Sequence, residues 1–87
     1  MAQRIDIEMD KHALVRIQER GTSVEEVRET ITLGEVFPAK KGRKEFRKIF
    51  AYEAEWEGKF FANKQLFVFA APQECGWYVI TIITKFF

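Results

Sequence analysis

The stretch that most constrains the fold is residues 12–34, HALVRIQERGTSVEEVRETITLG, which has the pattern of two short helices joined by a tight turn. At 3.6 residues per turn, Ala13, Leu14 and Ile17 share one arc of the first helix, and we expect that arc to face the core. Gly21 ends this helix, because glycine adopts the left-handed conformation of the C′ position without strain. The turn is therefore fixed by the sequence itself.

The second helix has its own start and stop signals. Ser23 is the predicted N-cap, and Glu26, three residues later, completes a capping box. Gly34 follows the last apolar position and marks the end of the helix. The apolar stripe that we expect to face the core consists of Val24, Val27 and Ile31.

The chain outside this helix pair has the period-two pattern of β-strands. In residues 43–56, one parity is largely apolar, and Glu57-Gly58 has the pattern of a hairpin turn. Pro38 breaks the chain before a basic loop at residues 39–42. The predicted strands are residues 43–56, 59–62, 66–71 and 77–86, with a turn at residues 63–65 and a loop at 72–76. Residues 4–9 also alternate, as a short strand or as the lead-in to the first helix.

These elements predict one α+β domain over residues 1–87, with two N-terminal helices packed on an antiparallel sheet of four or five strands. The last strand is almost entirely apolar or β-branched, which favours a central position in the sheet. We expect Val79, Ile80, Ile82 and Ile83 in the middle of the sheet, covered by Leu14, Ile17, Val27 and Ile31.

The composition favours a soluble, cytoplasmic protein with no membrane contact. Cys75 is the only cysteine among the 87 residues, which excludes an internal disulfide and suits a reducing compartment. The first ten residues are charged throughout, so we expect no signal peptide. The longest strongly apolar run, residues 77–83, is far shorter than the roughly 20 residues of a membrane helix.

The net charge of +1 hides a dipolar distribution. Six basic residues lie between positions 40 and 48, and we predict that they contact an RNA backbone. They are Lys40, Lys41, Arg43, Lys44, Arg47 and Lys48. The alternative is a solvated loop and strand end. Three carboxylates, Glu53, Glu55 and Glu57, follow, so pI is a poor guide to partners.

A polar arc of the first helix carries the candidate catalytic residues. His12, Arg16 and Arg20 are spaced four residues apart and therefore share one face. The imidazole can act as an acid or a base near neutral pH, and two guanidinium groups can clamp a phosphate. Glu19, on the same arc, orients His12, acts as a base or pairs with an arginine. The alternative for His12 is a structural position at the start of the helix or on the surface.

Several other functions find little support in the sequence. One histidine and one cysteine, His12 and Cys75, lack the spacing of metal ligands, so we predict no metal and no cofactor. The helix pair has a glycine turn like that of a helix-turn-helix, but the acidic second helix would repel DNA phosphates. The aromatic side chains could stack on bases, yet a domain this small needs most of them in its core.

The helix signature carries a family resemblance. His-Ala-x-x-Arg-x-x-x-Arg-Gly, from His12 to Gly21, is followed by Ser-x-x-Glu-Val and by a glycine after Leu33. This pattern resembles a small bacterial and archaeal domain-of-unknown-function family placed near the RelE-like toxins. The resemblance implies helices on a twisted antiparallel sheet. It also implies a metal-independent endoribonuclease that cuts mRNA, in many relatives on the ribosome, and that a small antitoxin holds inactive.

The resemblance thus implies a RelE-like toxin of a toxin–antitoxin pair, with RNA and a cognate antitoxin as partners. The alternative is a non-catalytic interaction module that binds protein or RNA through a sheet edge or the acidic segment.

Overall fold

Two α-helices lie on one face of a five-stranded sheet in the computed structural model, which describes residues 5–87. The elements in chain order are β1 (Asp6–Met9), α1 (Lys11–Glu19), α2 (Val24–Leu33), β2 (Glu35–Pro38), β3 (Lys44–Trp56), β4 (Lys59–Gln73) and β5 (Gly76–Phe86). A single 3-10 turn, Lys40–Gly42, precedes β3. The predicted α+β class is confirmed. Arg4, the first residue of the alternating segment, lies outside the described residues.

The sheet is mixed, so the prediction of a wholly antiparallel sheet is wrong. The strand order is β1-β5-β4-β3-β2, and β1 runs parallel to β5 while all other pairs are antiparallel. Asp6 pairs with Gly76 and Met9 with Val79. No hairpin joins β1 to β5, because both helices and three strands separate them in the chain, and so a tight turn does not fix their relative direction.

β4 is one continuous strand, so the predicted turn at residues 63–65 is wrong. Its centre carries Lys64, whose side chain is buried and points to the helices. The ammonium group donates to the Gly21 carbonyl at 2.9 Å and to Glu26 Oε1 at 2.6 Å. Because these acceptors satisfy the buried charge, a polar residue interrupts the apolar pattern without interrupting the strand.

The edge strand β2 is absent from the sequence prediction. It pairs with the start of β3, from Glu35 opposite Arg47 to Pro38 opposite Lys44. Proline lacks a backbone donor and is tolerated at the end of an edge strand. Pro38 therefore ends this strand, just before the 3-10 turn at Lys40–Gly42.

The helix boundaries agree with the predicted signals in all but one detail. Gly21 has φ 70°, and the Ser23 hydroxyl accepts a hydrogen bond from the Glu26 backbone N–H at 3.2 Å. The Glu26 carboxylate does not close the capping box. It accepts from the Thr22 hydroxyl at 2.9 Å and from the Lys64 ammonium group instead.

The core lies between the helices and the sheet. Its fully buried members are Ala13, Ile17, Val27, Ile31, Phe46, Leu66, Val68, Ala70, Val79 and Ile82. The interior position of β5 is confirmed, but Leu14 is 47% exposed and Ile83 is 44% exposed, so both predicted core positions are wrong. α1 packs mainly over β5 and β1, which makes its buried arc narrow, and Ile83 faces away from the helices. Ile80 is half-buried.

One face of the sheet carries no helix among residues 5–87. This open face alternates with the core face along each strand, and it includes the half-buried Phe67 and Phe69 and the exposed Ile83. Neither helix in the described part of the chain has the length and apolar run needed to span a membrane.

Candidate functional site

A cleft of about 320 Å³ opens where the C-terminal end of α1 meets the ends of β3 and β5. It is lined by Arg16, Glu19, Arg20, Trp56, Glu57, Thr84 and Phe86. The residues come from three distant parts of the sequence. The topology brings them together because α1 runs along β5 and the β3–β4 hairpin folds back beside the end of β5.

The two arginines of the cleft lie one helical turn apart on α1. Arg20 is the C-cap residue, and its carbonyl oxygen accepts a hydrogen bond from the Thr84 hydroxyl at 2.9 Å. The last carbonyls of a helix have no intrahelical donor, so this contact satisfies one of them and ties the helix to the sheet. The cleft is therefore formed by a helix end that the sheet itself holds in place.

Aromatic rings form one wall of the cleft. Trp56 and Phe86 are stacked, with ring centroids 5.1 Å apart and an interplanar angle of 17°. Tyr52 and Phe61 pack on Phe86 from other sides, at 5.0 and 5.6 Å. The Trp56 ring also lies so close to Gly21 that a Cβ there would be 2.7 Å from the ring. This packing joins the β3–β4 hairpin to the α1–α2 turn.

The charges of the cleft are balanced and unpaired. Two arginines and two glutamates line the cleft, but none of the four forms an ion pair within residues 5–87: Arg16, Arg20, Glu19 and Glu57. A guanidinium group without a carboxylate partner can bind a phosphate in a bidentate manner. A free carboxylate can accept a proton. The cleft thus combines an anion-binding pair with two potential bases.

His12 lies on α1 but outside the lining of this cleft. It is exposed, one turn before Arg16, which places it about 6 Å further along the helix axis. Its backbone N–H donates to the side chain of Asp10, the N-cap of α1, at 3.4 Å. Its imidazole has no hydrogen-bond partner in the described part of the chain. The structure thus brings Arg16 and Arg20 together and leaves His12 beside them.

The predicted RNA-binding segment is divided between the two faces of the sheet. Lys44 and Lys48 share the face of Phe46, under α2, and Lys48 Nζ lies 3.0 Å from Glu29. Arg47 lies on the open face, where it pairs with Glu45 and stacks over the Phe37 ring at 4.1 Å. Strand alternation causes this division, because neighbouring residues of β3 point to opposite faces.

A second depression, of about 370 Å³, lies on the open face. It is lined by Ala39, Lys40, Arg43, Glu45, Phe69, Ile80 and Thr81. Lys40 and Arg43 thus come together with apolar side chains of β4 and β5. They do not share a cleft with Arg16 and Arg20, which lie at the helix-covered side.

Sequence reasoning missed the aromatic and acidic members of the cleft. Trp56, Glu57 and Phe86 lie far from α1 in the chain, and no local pattern links them to the arginines. The polar residues 63–65 predict a turn at Lys64, because they interrupt an apolar run. No local signal marks Lys64 as part of a strand, because Asn63 and Gln65 flank it and its pairing partner Phe86 is distant in the chain.

Two further groups of chemical interest lie away from the cleft. Partial burial raises the pKa of Tyr78 above its usual value, and the charge and hydrogen bond of Asp10 and the charge of Glu8 add to this effect. Cys75 is exposed at the β4–β5 turn. Across residues 5–87, no three His, Cys, Asp or Glu side chains gather closely enough to hold a metal ion.

Fold and cleft together define a small α+β domain, in which a helix pair covers one face of a mixed sheet and presents two arginines at its end. The family profile "Domain of unknown function (DUF4258)" matches residues 9–84. The chain belongs to this family, which confirms the predicted assignment to a small domain of unknown function. Comparison with curated proteins gave no match, and comparison with solved structures gave none.

Proposed function

We propose that this domain is a RelE-like toxin of a toxin–antitoxin pair, a metal-independent endoribonuclease that acts on mRNA. One observation carries the proposal: the cleft places Arg16 and Arg20 beside free carboxylates and an aromatic wall. Metal-independent RNA cleavage needs cations that stabilise the phosphorane, a base and an acid. The cleft and the adjoining His12 supply groups of all three kinds.

The arginine pair is the proposed phosphate clamp. Two guanidinium groups one turn apart can each donate two hydrogen bonds to the non-bridging oxygens of one phosphodiester. These hydrogen bonds become stronger as negative charge develops on the non-bridging oxygens in the transition state. Arg16 and Arg20 therefore act on the rate as well as on binding.

Proton transfer is the second part of the proposal. A base removes the proton of the ribose 2′-OH, the 2′-oxygen attacks phosphorus, and the bond to the 5′-oxygen breaks as an acid protonates that oxygen. The products are a 2′,3′-cyclic phosphate and a 5′-OH end. We assign the base to Glu19 or Glu57, which line the cleft, and the acid to His12, which follows Arg16 on the same helix.

The substrate of such a cleft is single-stranded. The Trp56–Phe86 wall offers an aromatic surface beside the arginines, and an unpaired base gains roughly 1–3 kcal/mol by stacking on such a surface. Lys40 and Arg43, at the separate depression on the open face, supply a second contact with the RNA backbone in this proposal. An antitoxin neutralises the activity in this proposal.

Growth and RNA ends test the proposal in the same cells. Expression of the wild-type chain without its partner is expected to arrest growth and to leave new 5′-OH ends on mRNA. A general acid contributes about 10²–10⁴-fold to rate, so His12→Ala should lose most of both effects. Arg16→Lys keeps the charge but loses the planar fork, and it should weaken both effects.

Arg28→Lys is the matched control, because Arg28 is an exposed arginine of α2 that lies outside the cleft. It should arrest growth as the wild type does. A harmless wild type that leaves RNA uncut would reject the enzyme. Toxicity that is unchanged by His12→Ala and Arg16→Lys would place the chemistry elsewhere in the chain.

A second candidate function is a non-catalytic module that binds protein or RNA. The observation that favours it is the open face, where an apolar depression is bordered by Lys40 and Arg43. A pull-down that captures a partner through this face, from cells in which RNA stays uncut, would support the module over the enzyme.

A further inference from the structure

Lys64 is a buried titratable residue that the proposed chemistry does not use. It lies in the central strand β4 with a relative exposure of 4%, among apolar side chains of the core face. A buried ammonium group is costly unless it is paired and hydrogen-bonded. Its hydrogen-bond partners therefore indicate what it does, and both belong to the α1–α2 turn or the start of α2.

Three contacts from the sheet converge on the C-terminal end of α1. The Lys64 ammonium group donates to the Gly21 carbonyl at 2.9 Å, and the Thr84 hydroxyl donates to the Arg20 carbonyl at 2.9 Å. The Trp56 ring packs against Gly21. Two consecutive carbonyl oxygens at the helix end are thus each held by a side chain from a different strand.

Glu26 fixes the ammonium group in its turn. Its Oε1 atom lies 2.6 Å from Lys64 Nζ and accepts a second hydrogen bond from the Thr22 hydroxyl at 2.9 Å. The ring of Tyr52 lies on another side of the ammonium group, 5.3 Å away. Lys64 therefore has a fixed position from which to hold the turn.

We propose that Lys64 is a positioning residue which, together with Thr84, holds the end of α1 so that Arg16 and Arg20 address the same phosphate. The inference rests on the proposed function, because it assumes that the cleft binds RNA phosphate. Neither Lys64 nor Thr84 needs to touch the RNA backbone to act in this way. Their effect passes through the backbone of Arg20 and Gly21.

The test compares variants in binding an uncleavable probe, a 2′-O-methyl single-stranded oligoribonucleotide. Lys64→Met keeps the length of the side chain but removes its donors, and Thr84→Val removes one hydroxyl group. Each should weaken probe affinity about tenfold at a temperature where circular dichroism shows a folded chain. Val68→Ala, a fully buried change on the same strand, should leave the affinity unchanged.

A second readout reports the helix end without RNA. In a Trp77→Phe background, Trp56 is the remaining tryptophan, and its emission reports its packing against Gly21. Lys64→Met should shift this emission, and Val68→Ala should not. If Lys64→Met fails to fold, Thr84→Val carries the test through the Trp56 emission, since it removes one hydroxyl and no buried charge. The emission is the deciding readout for this variant because Thr84 itself lines the cleft.

The outcomes separate the two proposals. Equal probe affinity of the wild type and Arg20→Ala would reject RNA binding by the cleft, while the Trp56 emission would still report whether Lys64 holds the turn. Loss of affinity in Arg20→Ala with unchanged affinity in Lys64→Met and Thr84→Val would overturn the positioning role alone. An unchanged Trp56 emission in Lys64→Met would also overturn it.

Discussion

Lys64 Nζ and Glu26 Oε1 lie 2.6 Å apart and join the central strand of the sheet to the first turn of α2. The pair is asymmetric, because the lysine side chain is 4% exposed and the glutamate side chain 28%. A buried ion pair contributes little net stability compared with apolar residues of similar volume. Removing one partner is nevertheless destabilising, because the remaining charge is then buried without compensation.

This asymmetry predicts the effect of removing the lysine. Lys64→Met leaves the Gly21 carbonyl without its donor and removes one of the two donors to Glu26 Oε1, so it should lower the free energy of unfolding by about 1–3 kcal/mol. Adding Glu26→Gln should recover part of the loss, because the unpaired charge is gone. Urea unfolding followed by circular dichroism measures both. Lys85→Met, at an exposed position of β5, is the control and should change little; equal losses at Lys85 and Lys64 would contradict the prediction.

Gly21 and Gly58 allow the contact with Trp56 to be separated from backbone strain. Both have positive φ, 70° and 81°, but a Cβ at Gly58 would meet nothing within 4 Å. Alanine at either position should lower the stability by about 1–2 kcal/mol, because its Cβ is strained in the left-handed conformation. Gly21→Ala should cost more, because the Trp56 ring must move, and thermal unfolding of the two variants checks this. An equal loss of stability in the two variants would contradict the prediction and show that the Trp56 ring can move without an energetic cost.

Salt dependence tests which cations of the basic segment contact RNA. Lys40 and Arg43 have no ion pair in the described residues, whereas Lys48 and Arg47 are paired with Glu29 and Glu45. For single strands, each phosphate contact contributes a log–log slope of about −0.7. Lys40→Ala with Arg43→Ala should therefore flatten the slope of RNA affinity against salt by about 1.4. Changing the paired Arg47 and Lys48 should flatten it less, and the reverse order would contradict the prediction.

Tyr78 gives a pH dependence at the alkaline end. Its pKa is raised in the folded chain by partial burial and by the carboxylates of Asp10 and Glu8, so the folded state holds its proton to higher pH than the unfolded state does. The stabilisation is complete below the unfolded pKa of about 10 and is lost as pH rises through the folded value. The free energy of unfolding, measured between about pH 9 and 11, should therefore decrease more steeply with pH in the wild type than in Tyr78→Phe. Parallel curves would show that the phenol does not contribute.

The helix pair could be predicted from the sequence because its signals are local. Gly21, Ser23 and Gly34 fix the ends of α1 and α2 through backbone conformation and caps within a few residues. The interior place of β5 was also predictable, since a nearly continuous run of apolar and β-branched residues is typical of an interior strand. These features depend on residue type and spacing alone.

The errors share a different cause, because they depend on contacts between distant parts of the chain. The polar segment around Lys64 is typical of a turn. Only its contacts with Glu26 and the Gly21 carbonyl explain how this lysine can lie in a buried strand. The parallel pairing of β1 has no hairpin signature. The cleft could be predicted as far as Arg16 and Arg20, whose spacing is helical, but its aromatic wall required the register of β3 and β5.

The parallel pairing of β1 with β5 has a consequence for the order of folding. Asp6 and Gly76 are neighbours in the sheet but lie at opposite ends of the sequence, whereas β3, β4 and β5 form from consecutive hairpins. Contacts between residues that are distant in the sequence have the largest entropic cost of loop closure, and they form slowly. We expect the three-stranded meander to form the folding nucleus and β1 to dock late, carrying α1 into place beside β5. During synthesis the arginine cleft can then be completed only after the last strand has left the ribosome.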